Sequence, residues 1–349
     1  MTLRKRRIII AFLSLTFFIL APALLLYTLG YRINSQFKFG RTGGLYIASP
    51  VTGAEILVKN KKEKETNIFQ SGLFLQNLAE GNYQVAVTKE GYWPWQKVLN
   101  VKEGLVVEAR AFLIPQTPEG LVLLKGDFFS VWASPYDKIL FLEENKPEGK
   151  EVIFYLPETN TFLTNTSATT TKLLTFAGGI SEIFWENGSV VLKGWKTTIR
   201  ATFDFNKGTV SASREPDVKI TVNHKYQKFN SQNTERLWFD NKTNEVWVEW
   251  LKDKTLIPYY LCDIKSCEST NYLISSFKFP VKNVDFFPGR KDIIIASVQN
   301  NVFALEIDGR GGRIMQPIYK GKDPRFALFS SVKKVYVLDS GVLFAVNLE

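Results

Sequence analysis

Ile8 to Leu29 is a run of 22 residues without a charge, its hydroxyl side chains limited to Ser14, Thr16, Tyr27 and Thr28. As a helix rising ~1.5 Å per residue it covers ~33 Å, enough for a hydrocarbon core of ~30 Å. Arg4, Lys5, Arg6 and Arg7 stand directly before it. Basic flanks resist translocation, so this end is expected to stay in the cytoplasm and everything after Tyr31 to lie outside. The run has a second reading as a cleaved signal peptide, because Ala21-Pro22-Ala23 has the small-x-small form of a cleavage site. It continues through Leu24, Leu25, Leu26 and Tyr27, beyond the usual length of a signal core, and the uncleaved anchor is the reading taken.

The 349 residues allow an anchor and about two domains. Aromatic residues are abundant at 14%, and Phe, Tyr and Trp favour strands. Four of the +10 charges are the cluster before the apolar run, which leaves a modest basic excess elsewhere. That excess suits anionic polymers or lipid head groups, or serves solubility alone. Nucleic acid is not expected as a partner of a chain facing away from it.

Residues 30–42 read as a juxtamembrane linker, with Arg32, Lys38 and Arg41 near head groups and Tyr27 and Tyr31 at the interface. From Gly43 short apolar runs alternate with turn signals. Tyr83-Gln84-Val85-Ala86-Val87 alternates as a half-buried strand does. No helical period occurs, so residues 43–115 are expected to form a small all-β sandwich. Ser49-Pro50-Val51-Thr52-Gly53-Ala54, Leu78-Ala79-Glu80-Gly81-Asn82-Tyr83 and Lys89-Glu90-Gly91-Tyr92 together resemble the PEGA domain family. Two residues separate Pro50 from Gly53 where that family usually has one, which implies a longer first turn. The resemblance implies a surface sandwich that binds envelope components, with no catalytic residues to carry over. Trp93 and Trp95, on either side of Pro94, are the candidate contact residues of this domain for a sugar, but capping of the sandwich core is the reading taken.

Pro115-Gln116-Thr117-Pro118 reads as a linker, and residues 116–349 then repeat at a period near 50. The copies begin near Val131, Ile183, Leu237, Val284 and Ala327. Strand-only repeats of ~40–50 residues predict a β-propeller. Ser134-Pro135-Tyr136-Asp137-Lys138 resembles the blade turn of TolB-like and WD40-like propellers, with Tyr136 departing from the strict motif. Five blades are expected, or six if Asp217 to Phe229 adds strands. Pairing of Gly120–Lys125 with the last blade would remove an open edge. The expected fold is therefore all-β with one N-terminal transmembrane helix, a PEGA-like sandwich and a propeller.

Catalytic chemistry has little to work with. His224 is the only histidine and reads as a solvated loop residue. No Gly-x-Ser-x-Gly elbow or histidine–cysteine metal cluster can be assembled, and no cofactor is implied. Cys262 and Cys267 enclose four residues, a spacing that sets them across a hairpin loop, where an oxidising exterior can join them; the disulfide is expected, with two free buried thiols as the alternative. Asn165, Asn187 and Asn241 lie in N-x-[ST] triplets, which matter only in a host that glycosylates exported proteins. The turns recurring at matching positions carry the remaining candidate contact residues: Tyr136, Asp137 and Lys138; Glu186 and Asn187; Asp240 and Asn241; Arg290, Lys291 and Asp292. Their mixed charge suits a glycan or protein partner. The expectation is a non-enzymatic, membrane-anchored envelope protein that binds such a partner. A hydrolase or lyase site on the propeller, or a plain structural spacer, are the alternatives.

Overall fold

The structure is a computed structural model, and it describes residues 3–33, 39–136, 138–216, 222–262, 267–329 and 331–348. It is mostly β, with an apolar helix at the N-terminus. The helix, α1, spans Leu3–Thr28 and contains Pro22. Within it, Lys5–Thr28 contains an 18-residue stretch with a mean hydropathy of 2.6 and is long and apolar enough to cross a membrane. Its large apolar side chains are exposed along its length.

The chain divides into two compact units, Met1–Leu113 with Arg310–Gly312, and Ile114–Gly309 with Arg313–Glu349. In the first, the segment expected to be plain linker contains a short antiparallel hairpin, Tyr31–Ile33 with Phe39–Arg41. Beyond it lie two sheets. One orders Gly72–Leu78, Gly43–Ala48 and Val106–Arg110. The other orders Lys61–Glu65, Glu55–Val58, Gly81–Thr88 and Trp95–Val101. Their buried faces are set by alternation: in Trp95–Val101 residues 95, 97, 99 and 101 are buried and those between are exposed. Trp95 is therefore a core residue at the start of its strand, the core role and not the sugar contact. Trp93 precedes the strand and keeps part of its surface exposed.

Among the described residues the second unit holds five sheets with four antiparallel strands each, lettered here in chain order. Sheet A is Phe128–Ala133, Leu140–Lys146, Gly149–Leu156 and Thr161–Phe162, with Thr175–Phe176 added. Sheet B is Glu182–Glu186, Ser189–Lys193, Thr198–Asp204 and Thr209–Glu215, with Thr164–Asn165 added in parallel. Sheet C is Gln227–Phe229, Glu235–Asp240, Glu245–Trp250 and Asn271–Ser276. Sheet D is Val281–Phe286, Ile293–Val298, Asn301–Glu306 and Met315–Lys320. Sheet E is Arg325–Leu328, Lys334–Asp339, Val342–Asn347 and, from the other end of the unit, Gly120–Lys125.

That last pairing runs antiparallel from Gly120 opposite Val346 to Lys125 opposite Val342. It covers an edge of the final strand that would otherwise present unpaired N–H and C=O groups. The repeat positions Val131, Ile183, Val284 and Ala327 fall in first strands. Leu237 does not: it lies in the second strand of sheet C, whose first strand is Gln227–Phe229. The Asp217–Phe229 region thus supplies the opening strand of sheet C.

Strands apolar on both faces are explained by what they meet. In sheet A, Trp132, Phe141 and Phe154 pack with Trp185 and Phe203 of sheet B. Val131, Leu140, Leu142 and Tyr155 point the other way and pack with Tyr336 and Leu338 of sheet E. Sheets C and D share Leu237, Val248, Ile294 and Ala296. Sheet B meets the segment that leads into sheet C, where Asn223 Oδ1 accepts from Ile183 N–H at 3.1 Å. Between D and E, Asn283 Nδ2 donates to the Phe326 carbonyl.

Candidate functional site

Strand direction alternates within each sheet. Turns between first and second strands therefore gather at one end, and turns between second and third strands at the other. At the first end a cavity of about 530 Å³ is lined by three such turns: Ser134–Tyr136 of sheet A, Asn230–Asn233 of sheet C and Phe287–Lys291 of sheet D. Leu328, at the end of the first strand of sheet E, also lines it.

Each turn is fixed by its own residues. Ser134 Oγ accepts from Tyr136 N–H at 3.2 Å, and Ser134 N–H donates to the Ile139 carbonyl at 3.0 Å. Asn230 Oδ1 accepts from Thr234 N–H at 2.8 Å, an Asx-type arrangement that turns the chain. Gly289 has a φ of +73°, a conformation that favours glycine, and so lets the Phe287–Lys291 turn close. Arg290 clamps that turn by donating from Nε to Asp292 Oδ1 and from Nη2 to Asp292 Oδ2, both at 2.7 Å. Lys291 donates to Gln232 Oε1 and so links the turns of sheets D and C.

Behind these turns Glu235 is fully buried, its Oε1 accepting from Tyr260 O–H at 2.5 Å and its Oε2 from Asn230 Nδ2 at 3.2 Å. Burial raises the Glu235 carboxyl above the ordinary range and, with that carboxyl alongside, pushes the Tyr260 phenol well up. This network holds Asn230, and through it the sheet C turn, from behind.

His224, Lys228 and Asp285 also line the cavity. Lys228 Nζ and Asp285 Oδ2 are 3.8 Å apart, and Asp285 Oδ1 accepts from Phe286 N–H at 2.8 Å. Burial raises the Asp285 carboxyl, while Lys228 partly offsets the rise. His224 is 8% exposed and stacks on Phe184 at 5.4 Å between ring centres. Its Nδ1 accepts from Trp185 N–H at 2.9 Å, so Nε2 carries the proton of the neutral ring. Burial, and secondarily Lys228, lower its pKa to about 4. The expectation of a solvated loop histidine is thus corrected: the fold buries the ring and uses it to satisfy a strand N–H.

Of the candidate contact residues, Tyr136, Arg290 and Lys291 come together on the cavity. The other described candidates do not line it. Lys138 pairs with Glu158 at 2.8 Å, and Glu186 with Arg200, beside the Asn187 turn. Asp292 is spent on the Arg290 clamp. Asp240 accepts from Lys242 N–H at 2.7 Å in a second-to-third-strand turn that also contains Asn241, at the opposite end of its sheet. This is the consequence of Leu237 lying one strand later than the matching positions. Asp137 lies outside the described residues. His224, Lys228, Asp285 and Gln232 were missed by the sequence reading. A lone carboxylate inside Val284-Asp285-Phe286 was the available signal, since a charge in an apolar strand needs a partner or an opening.

Among the described residues no group of three or more histidine, cysteine, aspartate or glutamate side chains is arranged to hold a metal ion. Cys262 and Cys267 are joined as a disulfide, with Cα atoms 5.7 Å apart. Alkylation of the purified protein is expected to modify neither cysteine before reduction and both after it. Modification without reduction would contradict the bond.

No curated protein matches the chain. Hsv2 from Kluyveromyces lactis is similar at 12% identity, over 73% of this chain and 66% of that one, with a TM-score of 0.25. Hsv2 from Kluyveromyces marxianus gives 10%, 75% and 68%, with a TM-score of 0.24. A luciferin-regenerating enzyme gives 10% identity over 66% of this chain and 95% of that one, with a TM-score of 0.40. The chain thus spans about two thirds of the length of the Hsv2 structures. Residues 42–116, about a fifth of the chain, match the PEGA domain.

Proposed function

We propose that this is a membrane-anchored, extracytoplasmic binding protein of the cell envelope, with no enzymatic activity. In this reading α1 remains as a single-pass anchor, its basic end in the cytoplasm. Residues 43–115 form a PEGA-type sandwich, and sheets A to E are the blades of a five-bladed propeller. The propeller reading is supported by the contacts A–B, C–D, D–E and E–A, by that of sheet B with the segment leading into sheet C, and by the first strand of the unit pairing into the last sheet.

The observation that carries the function is the convergence of turns from three different sheets on one cavity of about 530 Å³. That size is ordinary for a small-ligand site, and loops on a packed scaffold are where such sites form. Binding is favoured over catalysis by the state of the cavity's histidine. With Nδ1 engaged and a pKa near 4, it is a poor general base at neutral pH.

The topology is tested with protease added to intact cells, or to spheroplasts where an outer membrane intervenes. Digestion of both units without lysis is expected, with the chain remaining in the membrane fraction beforehand. Protection of residues 116–349, or release of the whole chain as a soluble protein, would contradict the anchor.

A further inference from the structure

The cavity's chemistry narrows what it holds. Four of its charges stand in pairs: Lys228 faces Asp285 at 3.8 Å, and Arg290 is held on Asp292 through two 2.7 Å hydrogen bonds, while a fifth, Lys291, donates to Gln232 Oε1. An anion entering would meet Asp285, and a cation would meet Lys228. A cation gains no site that it does not share with a resident counter-ion, and an anion gains only Lys291, whose ammonium is engaged by Gln232 Oε1.

Neutral hydroxyl groups fare better. At 3.8 Å the Lys228 ammonium and Asp285 carboxylate form an ion pair longer than a hydrogen bond, so a hydroxyl beside them can accept from one and donate to the other. His224 adds the Nε2–H left over once Nδ1 has accepted from Trp185. The amides of Gln232 and Asn233 stand on the Asn230–Asn233 turn above. Phe229 and Phe287, with Pro135 and Pro288, supply apolar lining, and Tyr136 is 59% exposed beside them. Apolar ring faces with alternating donors and acceptors match a pyranose, which has C–H faces and an equatorial belt of hydroxyls.

We infer that the cavity binds a neutral saccharide of one or two rings, with hydroxyls on Lys228, Asp285 and His224 and a ring face on Tyr136. This rests on reading the cavity as a binding site.

The test is calorimetric titration of the full-length protein in detergent with maltose, cellobiose and diacetylchitobiose, and with glucuronate and inorganic phosphate as charged probes. At least one disaccharide is expected to bind saturably in the micromolar to millimolar range. Tyr136→Ala, a change at an exposed side chain, is expected to weaken that binding about ten-fold, and Asp285→Leu to abolish it. Failure of all three sugars to bind, or binding unchanged in Tyr136→Ala, overturns the inference. Tighter binding of glucuronate or phosphate, still weakened in Tyr136→Ala, overturns the neutral-sugar assignment and leaves the cavity as a binding site. Absence of binding by every probe counts against both.

Discussion

Replacing Trp185 with alanine is expected to cost about 4 kcal/mol of stability, the scale of a large aromatic removed from a core that collapses only partly around the gap. Trp185 is 1% exposed and sits where sheets A and B meet, 6.4 Å from Phe141 in an edge-to-face arrangement and 6.4 Å from Phe203. Its loss opens a void lined by rings from both sheets, which a single side-chain shift does not fill. Trp195, ten residues later, is 86% exposed on the turn between the second and third strands of sheet B. Alanine there is expected to change stability by no more than about 0.5 kcal/mol. Chemical denaturation of the detergent-solubilised protein and its two variants separates these outcomes. Equal effects of the two substitutions would contradict the packing of sheet A on sheet B.

Acidification is expected to destabilise the fold through His224. Its pKa is about 4 in the folded protein against an ordinary ~6.5 in the unfolded chain. The unfolded state therefore binds the proton first, and the contribution of the buried neutral ring is fully present above ~6.5. It is lost as pH falls through the window down to about 4. At ~1.4 kcal/mol per unit the full loss is about 3 kcal/mol. Buried carboxyl groups with raised pKa, among them Glu143, Glu235 and Asp285, work in the opposite direction. The informative quantity is therefore the difference between the protein and a His224→Asn variant, whose side-chain oxygen can still accept from Trp185 N–H. Between pH 7.5 and 4.5 the parent should lose about 2 kcal/mol more than the variant. Parallel pH profiles would show that the ring does not titrate across this window.

The strands were legible because their periodicity is local. Tyr83 to Val87 alternates in the sequence and is half-buried in the structure, and the Gly43-to-Pro115 motifs fall in the region that matches the PEGA domain. The start of sheet C was not legible, because Gln227–Phe229 is three residues long and lies next to polar segments. Missing it displaced the alignment by one strand and sent Asp240 and Asn241 to the wrong end of the sheet. The two tryptophans were separable only in part. Trp93-Pro94-Trp95 suggests a matched pair, but only Trp95 enters a strand, whose alternation buries it.

The cavity was half legible. Its rim residues Tyr136, Arg290 and Lys291 occupy turns that punctuation by proline and glycine reveals. Its inner residues sit on or just before first strands and meet only when separate sheets come together. Lys228 and Asp285 are 57 positions apart, and His224 finds its partner at Trp185, 39 positions back. Nothing in the local sequence joins such pairs, because the sheets that carry them are brought together by burial of their apolar faces.

The central claim is that this cavity opens outside the cytoplasm on a chain held by α1. It is tested most directly by a Tyr136→Cys variant in the full-length protein, with Cys262 and Cys267 joined and unreactive. Intact cells, or spheroplasts where an outer membrane is present, are treated with a membrane-impermeant maleimide, and labelling of the membrane-bound chain is measured. Rapid labelling without permeabilisation, equal to that seen after lysis, is expected. Labelling that appears only after lysis would place the cavity in the cytoplasm and contradict the account.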